Sequence, residues 1–134
     1  MLTRGIINPA VLELLARVRH TNTLVICDMG FPVYPAVQTI DLSIQANLPT
    51  VLQVFNAIKA QYEIGQVWMA AEFTTHNEPI VLDQFSSALG SIPRVFEPHT
   101  IMKERIPGAI GIIRTGDTTR YGNMVLLSAD NNAS

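Results

Sequence analysis

The 134-residue chain is 48% hydrophobic and only 15% charged, with a net charge of −2. A chain of this length holds one domain with its own core. Its weak, scattered charge gives no basic stripe, which excludes nucleic acid or an anionic membrane as the main partner. So apolar a composition predicts a buried sheet or a sizeable subunit contact, which makes oligomerisation an expectation, and leaves a small neutral ligand as the expected partner.

Near the start, Arg4 is followed by a short apolar patch that Asn8-Pro9 interrupts, too short for the apolar region of a signal peptide. No segment reaches the length of a transmembrane helix, so the expectation is a cytoplasmic protein. Asn8 suits a helix cap and Pro9 the first helical position, and Val11, Leu14, Leu15 and Val18 form one apolar stripe. This predicts a helix running to Arg19 or His20. A buried strand is predicted at residues 23–27, ending at Asp28, with a Pro-rich turn at 31–35 and a second extended stretch at 38–42.

Pro49 opens a second predicted helix with Val51, Leu52, Val54, Phe55 and Ile58, followed by a strand at residues 67–71. A third helix starts at Asn77-Glu78-Pro79 and ends near Gly90, with Thr74, Thr75 and His76 read as the loop before it. A strand at 94–96, a short helix through Ile101 and Met102, and a strand at 109–113 come next. The polar stretch 114–120 is a loop, the last strand is 124–127, and residues 131–134 are expected to fray. Helices alternating with continuous apolar strands indicate a three-layer α/β/α domain spanning 1–134, with a largely parallel or mixed sheet.

Three features limit the chemistry. The one cysteine, Cys27, lies inside an apolar strand and reads as a small buried hydrophobe. The glycines of Gly108-Ala109-Ile110-Gly111 precede a strand, whereas a dinucleotide fingerprint needs them after one, so nucleotide cofactors are not expected. Neither a nucleophile-elbow serine nor metal-ligand spacing is present, so a zinc set of His20, His76, His99 and Asp28 has no motif behind it. Asp28 with Glu72 or Asp117 offers paired carboxylates without a spacing that selects them.

What remains is a set of polar residues suited to hydroxyl-rich ligands. His20 at the predicted end of the first helix and Asp28 at the end of the first strand are expected to meet at one edge of the sheet, where open α/β sheets bind ligands. A helix C-terminus favours the imidazolium form of His20, and a helix first turn favours neutral His99. Tyr121-Gly122-Asn123 offers a phenol and an amide around a glycine that admits close approach, and Lys103 would share the helical face of His99.

The ordered set His20, residues 23–28, Gly30-Phe31-Pro32, Ile40-Asp41, Gln53-Val54, His76-Asn77, His99, residues 114–117 and Tyr121-Gly122-Asn123 resembles the D-ribose pyranase and L-fucose mutarotase family over nearly the whole chain. The spacings from His20 to Asp28 and from His99 to Arg114 are similar to the ribose branch. Phe31-Pro32 with Tyr121-Gly122-Asn123 is similar to the fucose branch. The resemblance implies a cofactor-independent isomerase of free monosaccharides, carbohydrate metabolism as its setting, and a ring-shaped homo-oligomer, a decamer in the best-known members. It also implies His20 as proton donor, and Asp28, His99, Tyr121, Gly122 and Asn123 as sugar-binding residues, with Lys103 near the sugar. Ring opening of a hemiacetal needs only an acid and a base, and no metal. L-fucose mutarotation, or sugar binding without catalysis, are the alternatives.

Overall fold

The computed structural model describes residues 1–130, so the fraying expected at 131–134 lies outside the described residues. The elements in chain order are α1 (Pro9–Ala16), β1 (Thr23–Cys27), β2 (Thr39–Asp41), α2 (Val51–Lys59), β3 (Ile64–Ala70), α3 (Glu72–His76), α4 (Pro79–Leu89), β4 (Arg94–Glu97), α5 (His99–Glu104), a 3₁₀ turn (Ile106–Gly108), β5 (Gly111–Arg114) and β6 (Met124–Ser128). The six strands form one sheet in the order β2-β5-β1-β6-β3-β4. β6 runs antiparallel to both its neighbours, and every other pairing is parallel. The sheet is therefore mixed, with five strands pointing one way and a central sixth strand returning.

Alternation along the strands fills two cores. Leu24, Ile26, Val67, Met69 and Leu126 pack on the face covered by α1, α2 and α4, against Leu14, Phe55, Ile58 and Phe85. Their neighbours Val25, Cys27, Ala70 and Val125 turn to the other face, against Phe31, Val37, Met102 of α5 and Ile106. The three layers are thus unequal, because one face carries three long helices and the other a short helix, a 3₁₀ turn and the Pro-rich turn after β1. Arg105 fastens this thinner layer. Its guanidinium donates to both carboxylate oxygens of Glu97 at 2.5 and 3.0 Å and lies 4.2 Å from the Trp68 ring centre.

Two local expectations need correction. α1 stops at Ala16, because the Arg17 and Val18 N–H groups close tighter turns onto Leu14 and Leu15, and the Arg19 guanidinium takes up the Ala16 carbonyl at 2.8 Å. His20 therefore lies in the turn before β1, beyond the reach of a helix dipole. α3 replaces the loop read at Thr74 to His76. Its β-branched threonines are poor helix formers, but the Thr74 hydroxyl bonds the Ala71 carbonyl at 2.7 Å and the Asn77 amide donates to the Phe73 carbonyl at 2.9 Å. The Asn8 cap and the β1 boundaries agree with the sequence pattern, whereas the second helix, read as opening at Pro49, starts at Val51 behind a Thr50–Gln53 capping box.

Candidate functional site

The carboxyl ends of β1, β3, β4 and β5 open onto one edge of the sheet, and the antiparallel course of β6 brings its amino end to the same place. A cavity of about 630 Å³ lies there, lined by Asp28 to Pro32 after β1, Asp117 to Arg120 after β5, His76 of α3, His99 of α5, and Tyr121 and Asn123 before β6. The volume falls within the roughly 300–1,000 Å³ of small-molecule sites. The position obeys the rule that open α/β sheets take ligands beyond their carboxyl ends.

Backbone and side chain are interlocked on the acidic side. The Asp28 N–H donates to Asn123 Oδ1 at 2.7 Å, which fixes the amide so that its own N–H groups point onward, and the Gly30 N–H donates to Asp28 Oδ1 at 3.0 Å. Burial pushes the Asp28 carboxyl above its ordinary value, against the Gly30 and Asn123 hydrogen bonds, and the charge of Asp117 pushes the same way. Asp117 itself is buried, accepting the Val51 N–H at 2.8 Å and the Thr119 N–H at 2.7 Å, so it pins the start of α2 to the cavity floor. Arg114 clasps the loop after β1, where Nη1 donates to the carbonyl of Phe31 at 2.7 Å and, more weakly, to those of Asp28 and Met29.

The Asp28 shift has a sign that stability measurements can read. A carboxyl whose folded value lies above its unfolded one loses stability as pH rises from the ordinary 3.8 through the folded value, and that loss persists at neutral pH. Asp28→Asn keeps an oxygen for the Gly30 N–H and removes the half-buried charge. Thermal unfolding is expected to show the variant more stable than the parent at pH 7, with the gap closing below about pH 4, where Asp28 is protonated in both states. A variant less stable than the parent at pH 7 contradicts this.

The opposite wall is built from rings. His99 meets Tyr121 edge to face at 5.1 Å between centres and Phe31 at 6.5 Å, and His76 packs on Tyr121 in a tilted arrangement at 5.2 Å. Tyr121 adopts a left-handed backbone, with φ of 55°, to reach this position. The His99 N–H, free at the first turn of α5, donates to both carboxylate oxygens of Glu72, at 3.0 and 3.2 Å. Burial, with Lys103 nearby, lowers the His99 pKa below its ordinary value although Glu72 and Asp28 oppose this. His99 is therefore a neutral imidazole at neutral pH, as its helix position predicts, and its Nε2 is buried without a protein partner.

Asp28, His99, Tyr121 and Asn123 thus share one cavity, and the buried Gly122 between the last two packs its Cα side against Thr119 and Phe85. His20 is not with them. It precedes β1 while Asp28 follows it, so about 17 Å of strand separates the two. The expected meeting of this pair at one edge of the sheet is wrong for a single chain. His20 lies half-exposed at the far edge, its Nδ1 3.4 Å from Asp130, in a shallow recess with Val18 and Ser128. For the same reason His20, His76, His99 and Asp28 do not converge as a metal set. Lys103 acts on His99 through its charge and does not line the cavity.

Sequence reasoning missed Glu72, Arg114 and Asp117 as organisers and treated His76 as structural. The first two act mainly through backbone partners in distant segments, which no local spacing encodes. Asp117 had a usable signal, since a polar loop directly after a buried strand parallel to β1 belongs at the same carboxyl edge.

A mixed, open α/β sheet with a polar, ring-walled cavity past its carboxyl ends defines a small-ligand α/β protein. The chain belongs to the RbsD / FucU transport protein family, whose pattern matches residues 1–129. It is 36% identical over 124 residues to a D-ribose pyranase of Geobacillus kaustophilus, covering 92% of this chain and 90% of that one. With a D-ribose pyranase of Laribacter hongkongensis it shares 33% over 128 residues, or 96% and 97% of the two chains. Among solved structures, Bacillus subtilis RbsD complexed with D-ribose superimposes with a TM-score of 0.89 at 29% identity, covering 96% and 98%. A fucose mutarotase from Streptococcus pneumoniae in complex with L-fucose shares the fold, with a TM-score of 0.77 at 16% identity over 91% and 92%.

Proposed function

We propose that this chain is a cofactor-independent isomerase of the D-ribose pyranase type, interconverting ring forms of a free monosaccharide by acid–base ring opening and closure. The observation that carries this is the cavity itself. A carboxylate, a neutral imidazole, a phenol and an oriented amide converge at the carboxyl edge of a fold whose ribose-complexed relative superimposes over almost its whole length. Asp28 and the Asn123 amide hold sugar hydroxyls, and the His99 and Tyr121 rings pack against the sugar face and edge. Protonation of the ring oxygen, with loss of the anomeric hydroxyl proton, gives the open aldehyde, which recloses through another hydroxyl or onto the other face. This sequence is redox-neutral.

His20 is the proposed proton donor, and the length of β1 dictates how it acts. A His20 that reaches a sugar in this cavity belongs to a neighbouring copy, so the working unit is a homo-oligomer, for which we propose the decamer of the family. Exposed apolar side chains support such a contact: Met29 at the cavity rim is 53% exposed, Val33 74% and Ile44 78%. The single unit of 1–134 acts in the cytoplasm on free sugar. Magnetisation transfer between the anomeric signals of D-ribose and of L-fucose tests the assignment. Faster exchange for ribose than for fucose, at equal protein, is expected. The reverse order assigns the chain to fucose, and saturable binding without faster exchange of either sugar makes it a binding module.

A further inference from the structure

The ring-opening reading leaves the base unassigned, and the geometry of α3 fills that place. We infer that His76 is a catalytic residue of the same reaction, the base that accepts the anomeric hydroxyl proton at its Nε2 atom. The inference rests on the function proposed above.

The tautomer follows from its partners. His76 Nδ1 lies 2.9 Å from the Glu72 carbonyl, which can only accept, so Nδ1 carries a hydrogen. The Thr75 hydroxyl, 3.0 Å from the same nitrogen, has its own acceptor in that carbonyl at 3.3 Å, so it does not compete for the role of donor to Nδ1. A neutral imidazole with Nδ1–H has a bare lone pair on Nε2. The ring lines the cavity and is held at 60° to Tyr121, at 5.2 Å. Its tether is the last turn of the helix whose first residue, Glu72, also holds the His99 backbone.

The other acceptors in the cavity are worse placed. Asp117 accepts two backbone N–H groups, Asp28 accepts from Gly30 and stands beside Asn123, and the Nε2 of His99 has no protein partner but is buried away from water. His76 is the exposed imidazole at the mouth, the place of a group that must exchange protons with water between turnovers. In the step, the anomeric O–H proton moves to His76 Nε2 and the electron pair of that bond becomes the second bond of the aldehyde C=O. The bond from the anomeric carbon to the ring oxygen breaks, its electron pair staying on that oxygen, which takes a proton from the acid. Reclosure runs the same transfers backwards and returns both groups to their starting states.

Two substitutions test this in the oligomeric protein. His76→Asn retains a donor for the Glu72 carbonyl but has no basic nitrogen, and His76→Ala leaves room for free imidazole. Both are expected to slow ribose ring exchange by roughly 10²-fold or more in kcat with KM near the parent value, and imidazole is expected to restore part of the His76→Ala loss. Parent-like exchange in His76→Asn, or a loss confined to KM, overturns the inference while leaving the ring-opening function standing. Failure of the unsubstituted protein to accelerate exchange at all overturns both.

Discussion

His20→Ala is expected to slow catalysed exchange of ribose ring forms by roughly 10²- to 10⁴-fold, the contribution of one positioned acid. The loss should come with the fold of the chain intact. Within one chain His20 is half-exposed, 3.4 Å from Asp130 and across β1 from Asp28, so the variant should keep the parent Tm. Measured together, the exchange rate and thermal unfolding separate a missing proton donor from a damaged fold. Parent-like exchange in this variant removes His20 from the mechanism, and a Tm that falls with the rate places its role in structure.

Gly116→Ala carries the largest expected cost to the fold. A Cβ at this position would lie 2.2 Å from the Gln45 carbonyl oxygen and 3.1 and 3.2 Å from the Leu48 carbonyl oxygen and nitrogen. All three contacts are backbone, so no side chain can swing away. The neighbouring hydrogen bonds are made by the same segments, since the Gly116 N–H donates to the Pro49 carbonyl at 2.9 Å and Asn47 Oδ1 accepts from Thr118. Overpacking against backbone should destabilise by about 2–3 kcal/mol and lower Tm by roughly 5–15 °C. Asp117 follows directly and pins the start of α2, so ribose affinity should fall with stability. A scanning calorimetry trace at the parent Tm contradicts this.

These two positions show what the chain reveals locally and what it hides. β1, the Asn8 cap, α4 and the apolar stripes of α1 and α2 are written in short-range pattern, and they appear where pattern puts them. Placing Asp28 and Tyr121 to Asn123 at one edge needed more, namely the antiparallel return of β6 beside β1, which pairs Ile26 with Met124. No spacing along the chain reports that pairing. The same blindness produced the error at His20. A histidine before a strand and an aspartate after it are close in sequence and far apart in space, because a strand is the most extended form of the chain. His99 was legible because its helix start is a local feature. Glu72 was not, because its carboxylate meets an N–H 27 residues away.

If His20 of one copy serves the cavity of the next, sugar is turned over in a site that one chain cannot complete. Co-expressing His20→Ala chains with Asp28→Asn chains, purifying the mixed oligomers and measuring ribose ring exchange by magnetisation transfer decides this. Each variant alone is expected to be inactive. In a random mixture about one quarter of the sites combine an intact His20 from one copy with an intact Asp28 from the next, so about a quarter of the parent rate should return. Mixed oligomers no more active than the two separate variants would contradict the shared site and require His20 and Asp28 to act within one chain, against the span of β1.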